Sequence, residues 1–97
     1  MKIVSSKIPG CFEIFPLIHR DSRGAFIKTF HAPTFNEFGL CISFKEEYYS
    51  VSAKNVVRGL HFQLPPDDHV KLVYCITGCV QDVVLDLRLG SPTYGNH

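Results

Sequence analysis

Ninety-seven residues allow one small domain, residues 1–97, and a composition 45% hydrophobic and 12% aromatic makes it globular rather than disordered. Ten Lys+Arg against nine Asp+Glu, a formal net charge of +1, supply no electrostatic footprint for nucleic acid or an anionic membrane. No apolar run approaches the roughly 18–20 residues that span a bilayer. The start, Met1 to Lys7, places a second lysine where a signal peptide needs its apolar stretch, so the sequence reads as that of a cytoplasmic protein.

Pro and Gly punctuate the chain. Phe12 to Ile18 suits a strand, with Pro16 favouring a sheet edge. Asp21-Ser22-Arg23-Gly24 is a turn, and Ala25 to Phe30 a short strand with Phe26 and Phe30 on one face. Pro33 to Phe38 is the one good helix candidate, with Thr34 as its cap or Pro33 opening it, and Gly39 stopping it. After Gly39 the pattern becomes all-β. Cys41–Ser52, Val56–Gln63, Val70–Thr77 and Cys79–Leu89 read as strands, separated by Lys54-Asn55, Pro65 to Asp68 and Thr77-Gly78. Short strands with turn signals between them imply an antiparallel β-sandwich or barrel. In the last strand Val83, Leu85 and Leu87 share one face, while Asp86 and Arg88 fall on the other, read as a solvated outer face.

Four cysteines, Cys11, Cys41, Cys75 and Cys79, form no Cys-x-x-Cys motif, and three lie in or beside apolar runs. They read as buried free thiols acting as small hydrophobes, with Cys75 and Cys79 flanking a turn. A metal is not expected either. The position two after His61 is Gln63, no Glu follows His61, and His69 and His97 stand isolated.

The densest polar segment is Arg58-Gly59-Leu60-His61-Phe62-Gln63, followed by Lys71. Alternation sends Leu60 and Phe62 one way and Gly59, His61 and Gln63 the other. From the residues alone, His61 is either a hydrogen-bonded core histidine or a proton carrier suited to neutral pH. Lys71, entering from the next strand, neutralises an anion forming beside it. Arg58 offers the fork that recognises a diphosphate, but alternation puts it on the face opposite His61. Convergence needs a bulge or twist, which Gly59 permits.

Val57 to Gln63, Lys71-Leu72-Val73, Gly78, Asp82 to Arg88 and Gly90-Ser91-Pro92-Thr93-Tyr94-Gly95 together closely resemble the dTDP-4-dehydrorhamnose 3,5-epimerase family. Phe15-Pro16 and Asp21 to Phe26 resemble its first motif. The resemblance implies a cupin-like jelly roll, here its N-terminal half, usually a homodimer, with no metal and no organic cofactor. It implies inversion of the carbons flanking the C4 ketone of a nucleotide-linked 6-deoxy-4-keto sugar, for deoxysugar or surface-polysaccharide biosynthesis. The alternative is a noncatalytic nucleotide-sugar-binding or dimerising β-module. By resemblance His61 is the base and Lys71 the enolate stabiliser, while Arg23 and Arg58 hold the diphosphate. Lys28, Glu46 and Tyr48 stand where the family usually has Glu, Gln and Asn, so the accepted sugar or base departs from the dTDP-rhamnose precursor, unless Lys28 and Glu46 form a compensating pair. The family's proton-returning tyrosine and the aspartate that orients its histidine lie in the half this sequence does not match. Tyr94 matches the Ser-Pro-Thr-Tyr-Gly turn and is not that acid. A half jelly roll leaves its edges unpaired, so the chain is expected to associate rather than persist as a monomer.

Overall fold

The computed structural model describes all 97 residues as two antiparallel hairpins, one short helix and a long remainder without sheet pairing. Strand β1 (Lys2–Ser5) pairs with β2 (Phe12–Phe15), Ile3 opposite Ile14 and Ser5 opposite Phe12. The loop between them is tied by its own polar groups. Ile8 N–H donates to Ser6 Oγ at 3.0 Å, Ser6 N–H to the Cys11 carbonyl at 2.9 Å, and Ile8 is buried beneath them. The strand expected from Phe12 to Ile18 is split. Pro16 has no N–H to give a ladder, and the chain re-pairs only from Ile18.

Strand β3 (Ile18–Asp21) then turns into β4 (Gly24–Ile27), with Ile18 opposite Ile27 and His19 opposite Phe26. The expected Asp21–Gly24 turn forms for the reason its residues suggest. Asp21 Oδ1 accepts from Arg23 N–H at 2.8 Å, and Gly24 takes a φ of +129° that other residues avoid. Strand β4 ends at Ile27, so Phe30 leaves the sheet and packs edge-on against Phe35 and Phe44, with centroids 4.9 and 5.8 Å away.

Helix α1 (Ala32–Glu37) begins one residue earlier than its sequence signals suggest. His31 is its N-cap, without a side-chain capping bond, and Thr34 Oγ1 instead pairs with His31 Nδ1 at 2.9 Å. Pro33 sits in the first turn, where no intrahelical N–H is missed. The stop is a Schellman arrangement: Leu40 N–H reaches the Phe35 carbonyl at 2.9 Å, Gly39 N–H reaches that of Asn36 at 3.0 Å, and Gly39 has φ +66°. Phe35 is the best-buried hydrophobic residue of the molecule.

From Cys41 to Leu89 none of the four expected strands pairs. The turns between them form where expected, at Lys54-Asn55, Pro65-Pro66 and around Thr77-Gly78, but the arms find no ladder partner. A strand is stabilised by its neighbour, and within these 97 residues no segment comes alongside. The hydrogen bonds record this: 22 join backbone to backbone, against roughly 65 in a fully paired chain of this length. The surface records it too. It measures 8873 Å², where a folded monomer of 11.0 kDa exposes about 5,600 Å². The radius of gyration is 15.4 Å, against about 12.5 Å for a closed domain. The protein is therefore all-β with one short helix, consistent with part of a cupin-like jelly roll. No helix is long and apolar enough to cross a membrane.

The thiols differ from expectation. All four cysteines are free, but Cys75 and Cys79 are exposed and Cys11 and Cys41 only half-buried, because the apolar runs holding them are not covered.

Candidate functional site

The Pro65-Pro66 turn folds the polar segment back on itself. Asp67 N–H donates to the Leu64 carbonyl at 2.9 Å, and the arms on either side enclose a cleft of about 240 Å³. His61, Phe62, Gln63, Asp68, His69 and Lys71 line it. His61 and Lys71 thus share a cleft, though Lys71 arrives by the turn and not from a paired strand. The expected alternation does not hold, since Phe62 lines the cleft together with His61 and Gln63. All six residues are exposed, and neither His61 nor Lys71 is tied down by a hydrogen bond. Gly59 provides the twist that its position suggests, at φ +119°. A side chain there would be strained and would stand 3.5 Å from His61 Nδ1.

The other expected site residues lie elsewhere. Arg58 turns back, with Nε donating to Ser52 Oγ at 2.9 Å and Nη2 to the Val51 carbonyl at 3.4 Å. The Gly59 twist therefore does not bring Arg58 into the His61 cleft. Arg23 closes on Asp21, Nη2 to Oδ2 at 2.7 Å, which holds the Asp21 carboxyl below its ordinary range and raises the guanidinium. Both side chains are exposed, so the pair is easily released. Lys28 lines a separate cleft of about 250 Å³ with His19, Phe26 and His31. Glu46 and Tyr48 line neither cleft, and Lys28 makes no direct ion pair with Glu46. No three His, Cys, Asp or Glu side chains stand at metal-binding geometry.

Two features escaped the sequence reading. His69 seemed isolated, yet after the double-proline turn it lines the same cleft as His61. The signal was the turn, which reverses the chain midway between the two histidines. The other is Asp86, which is 3% exposed and not on a solvated face. Its carboxylate gathers donors from its own neighbours. Oδ1 accepts from Arg88 N–H at 3.1 Å and Arg88 Nε at 2.9 Å. Oδ2 accepts from Arg88 Nη2 at 2.9 Å, Ser91 Oγ at 2.6 Å and Thr93 Oγ1 at 2.7 Å. Backbone bonds from Asp86 N–H to Asn96 and from Gly95 N–H to Asp86 close the knot. The Arg88 guanidinium lies over Gly10, where an added Cβ would stand 3.6 Å from Nη1. The spacing Asp-x-Arg-x-x-Ser-x-Thr carried this signal: each donor sits within one local loop of the acceptor.

The Arg88 guanidinium first, and the Ser91 and Thr93 hydroxyls after it, hold the Asp86 carboxyl far below the usual carboxylate range. A carboxyl depressed on folding stabilises fully above its unfolded pKa, about 3.9, and that contribution fades as pH falls below it. The thermal midpoint is therefore expected to be flat from pH 7 to about 5 and to drop below pH 4. In Asp86→Asn the midpoint falls at neutral pH and the acid-side slope shrinks, whereas Asp21→Asn leaves both nearly unchanged. Equal slopes in wild type and Asp86→Asn would remove Asp86 as the acid-sensitive group.

The comparisons with known proteins agree with one another. A family model described as dTDP-4-dehydrorhamnose 3,5-epimerase matches residues 5–97. The chain is similar to the dTDP-4-dehydrorhamnose 3,5-epimerase of Mycolicibacterium smegmatis, 45% identical over 91% of this chain and 44% of the relative. It is 44% identical to that of Mycobacterium tuberculosis, over 98% of this chain and 48% of the relative. A dTDP-4-dehydrorhamnose 3-epimerase of Streptomyces niveus is 43% identical over 98% of this chain and 46% of the relative. No solved structure matches the chain at a significant level. It spans about half the length of the curated relatives it matches. With the family's motifs in order along the sequence and a match running from residue 5 to the last, this chain belongs to the dTDP-4-dehydrorhamnose 3,5-epimerase family.

Proposed function

We propose that this chain carries the proton-abstracting part of a nucleotide-sugar epimerase site. The observation that carries the reading is the pairing of His61 and Lys71 in one cleft. A proton α to a ketone is removable because the electron pair left behind delocalises onto the carbonyl oxygen. The site then needs a base for the proton and a positive group for the oxygen. His61 takes the proton from C3 or C5 of a 4-keto-6-deoxy sugar, and the Lys71 ammonium faces the enolate oxygen. Arg23 and Arg58 leave their exposed partners, Asp21 and Ser52, to hold the diphosphate. Lys28, Glu46 and Tyr48 tune which sugar or base is accepted. The protein works as a homodimer in the cytoplasm, whose reducing conditions suit four free thiols, and serves deoxysugar or surface-polysaccharide biosynthesis.

The test is proton exchange, followed by NMR, of a nucleotide-linked 4-keto-6-deoxy sugar in deuterated water. The C3 and C5 proton signals should fade with protein present and persist without it. Exchange at C3 alone would restrict the reaction to one carbon, a distinction that identity does not make, since relatives named for one and for two carbons match almost equally. One observation favours a second reading. His61, Lys71, Arg23 and Arg58 are all exposed, and water in an open cleft weakens an ammonium's hold on an enolate. Saturable binding of the nucleotide-sugar without exchange would make the 97-residue chain a binding module.

A further inference from the structure

The second cleft, of about 250 Å³, takes no part in the proton chemistry, yet it is built on the regular part of the molecule. In the β3–β4 register His19 stands opposite Phe26. Carried one pair beyond Ile18 and Ile27, the same register sets Leu17 beside Lys28, on the same face of the hairpin as His19 and Phe26. All four line the cleft, together with His31 and Thr34.

The lining brings together an ammonium, two imidazoles and a hydroxyl, and it holds no carboxylate. Lys28 forms no ion pair, and the hairpin's own acid, Asp21, is taken up by Arg23 at 2.7 Å. His31 meets Thr34 Oγ1 through Nδ1 at 2.9 Å, which leaves its Nε2 for a ligand. Several N–H donors and one full positive charge in a single cleft match the terminal oxygens of a phosphate monoester. Phe26 supplies a different contact. It is 63% exposed, and its ring lies 6.4 Å from that of His19 at a tilt of 41°, so ring surface stays open to a flat ring of the ligand. The volume falls just under the roughly 300–1,000 Å³ of pockets for drug-sized ligands, and admits one ring with its phosphate.

We propose that this cleft binds a small phosphate monoester carried on a flat ring, and that Lys28 selects for its charge. Phe26 and Leu17 take the ring, while Lys28, His19 and His31 take the phosphate. A glutamate, which the family usually has at position 28, would repel the same ligand, so the site belongs to this chain and not to relatives that carry the acid. The proposal rests on this cleft and not on the epimerase reading.

The test is a titration of the 97-residue chain with phenyl phosphate, followed by NMR of the histidine and phenylalanine rings, with inorganic phosphate and phenol as the two halves of the probe. Signals of His19, His31 and Phe26 should shift saturably with phenyl phosphate, and each half should bind at least about tenfold more weakly. Lys28→Met should weaken phenyl phosphate about tenfold and Lys28→Glu by more, whereas Lys28→Arg, which keeps the charge, should stay within about threefold of wild type. Equal affinity in wild type and Lys28→Glu would overturn the proposal. So would either half binding as tightly as the whole, or shifts confined to residues outside the cleft. Saturable binding by a chain that exchanges no substrate proton would uphold this site while removing the epimerase reading, and exchange without binding would do the reverse. Lys28 is exposed and unpaired, and circular dichroism of each variant verifies that the fold is kept.

Discussion

His61→Gln is expected to lower proton exchange at the substrate carbon by about 10²- to 10⁴-fold, the range a positioned general base contributes. The loss should appear in both exchange and inversion. Lys71→Met should lower both as well, by roughly 10²- to 10³-fold, because the enolate oxygen loses its countercharge while the base remains. These are changes in chemistry and not in folding. Both side chains are exposed and free of hydrogen bonds, and surface substitutions of that kind shift stability by about 0.5 kcal/mol or less. The two losses should be less than multiplicative in the double variant, since proton removal and enolate stabilisation belong to one step. Unchanged exchange in His61→Gln would end the assignment of the base.

At low micromolar concentration the chain is expected to sediment as a dimer or larger assembly. The argument is one of area. It exposes about 3,300 Å² more than a folded monomer of its mass, and stable obligate interfaces bury about 2,000–5,000 Å² in total. The excess is apolar in character. Only Ile8 and Phe35 are buried hydrophobics, while Val83 and Leu87 remain 44% and 40% exposed beside the half-buried Leu85. Burying a fully exposed large aliphatic side chain is worth about 1.5–3 kcal/mol, and these partly exposed ones gain correspondingly less. They offset part of the cost of association, and the rest of the exposed apolar surface must supply the remainder. The unpaired backbone between Val70 and Leu89 adds donors and acceptors that a second copy can meet by strand exchange. Val83→Lys with Leu87→Lys should shift the equilibrium toward monomer. A compact wild-type monomer that unfolds cooperatively would show that the chain closes its own core.

The parts of this protein legible in its sequence are those whose causes are local. The Asp21–Gly24 turn needs one aspartate oxygen and one glycine, and α1 stops at Gly39 because the residue after the helix must take a left-handed φ. The turns at Lys54-Asn55, Pro65-Pro66 and Thr77-Gly78 form for similar reasons. The family motifs are likewise written in residue order. Tertiary structure alone decided whether the segments between those turns become strands, because a ladder needs a neighbour that composition does not supply. It also decided burial. Period-two alternation put Asp86 outside, but with no sheet there the backbone curled until Arg88, Ser91 and Thr93 surrounded the carboxylate. The candidate site divides in the same way. His61 and Lys71 were legible as chemistry, but their shared cleft and the presence of His69 in it depend on where a turn sends the chain. A charged side chain's type is fixed by its codon, whereas its partners are fixed by distances that only the folded backbone sets.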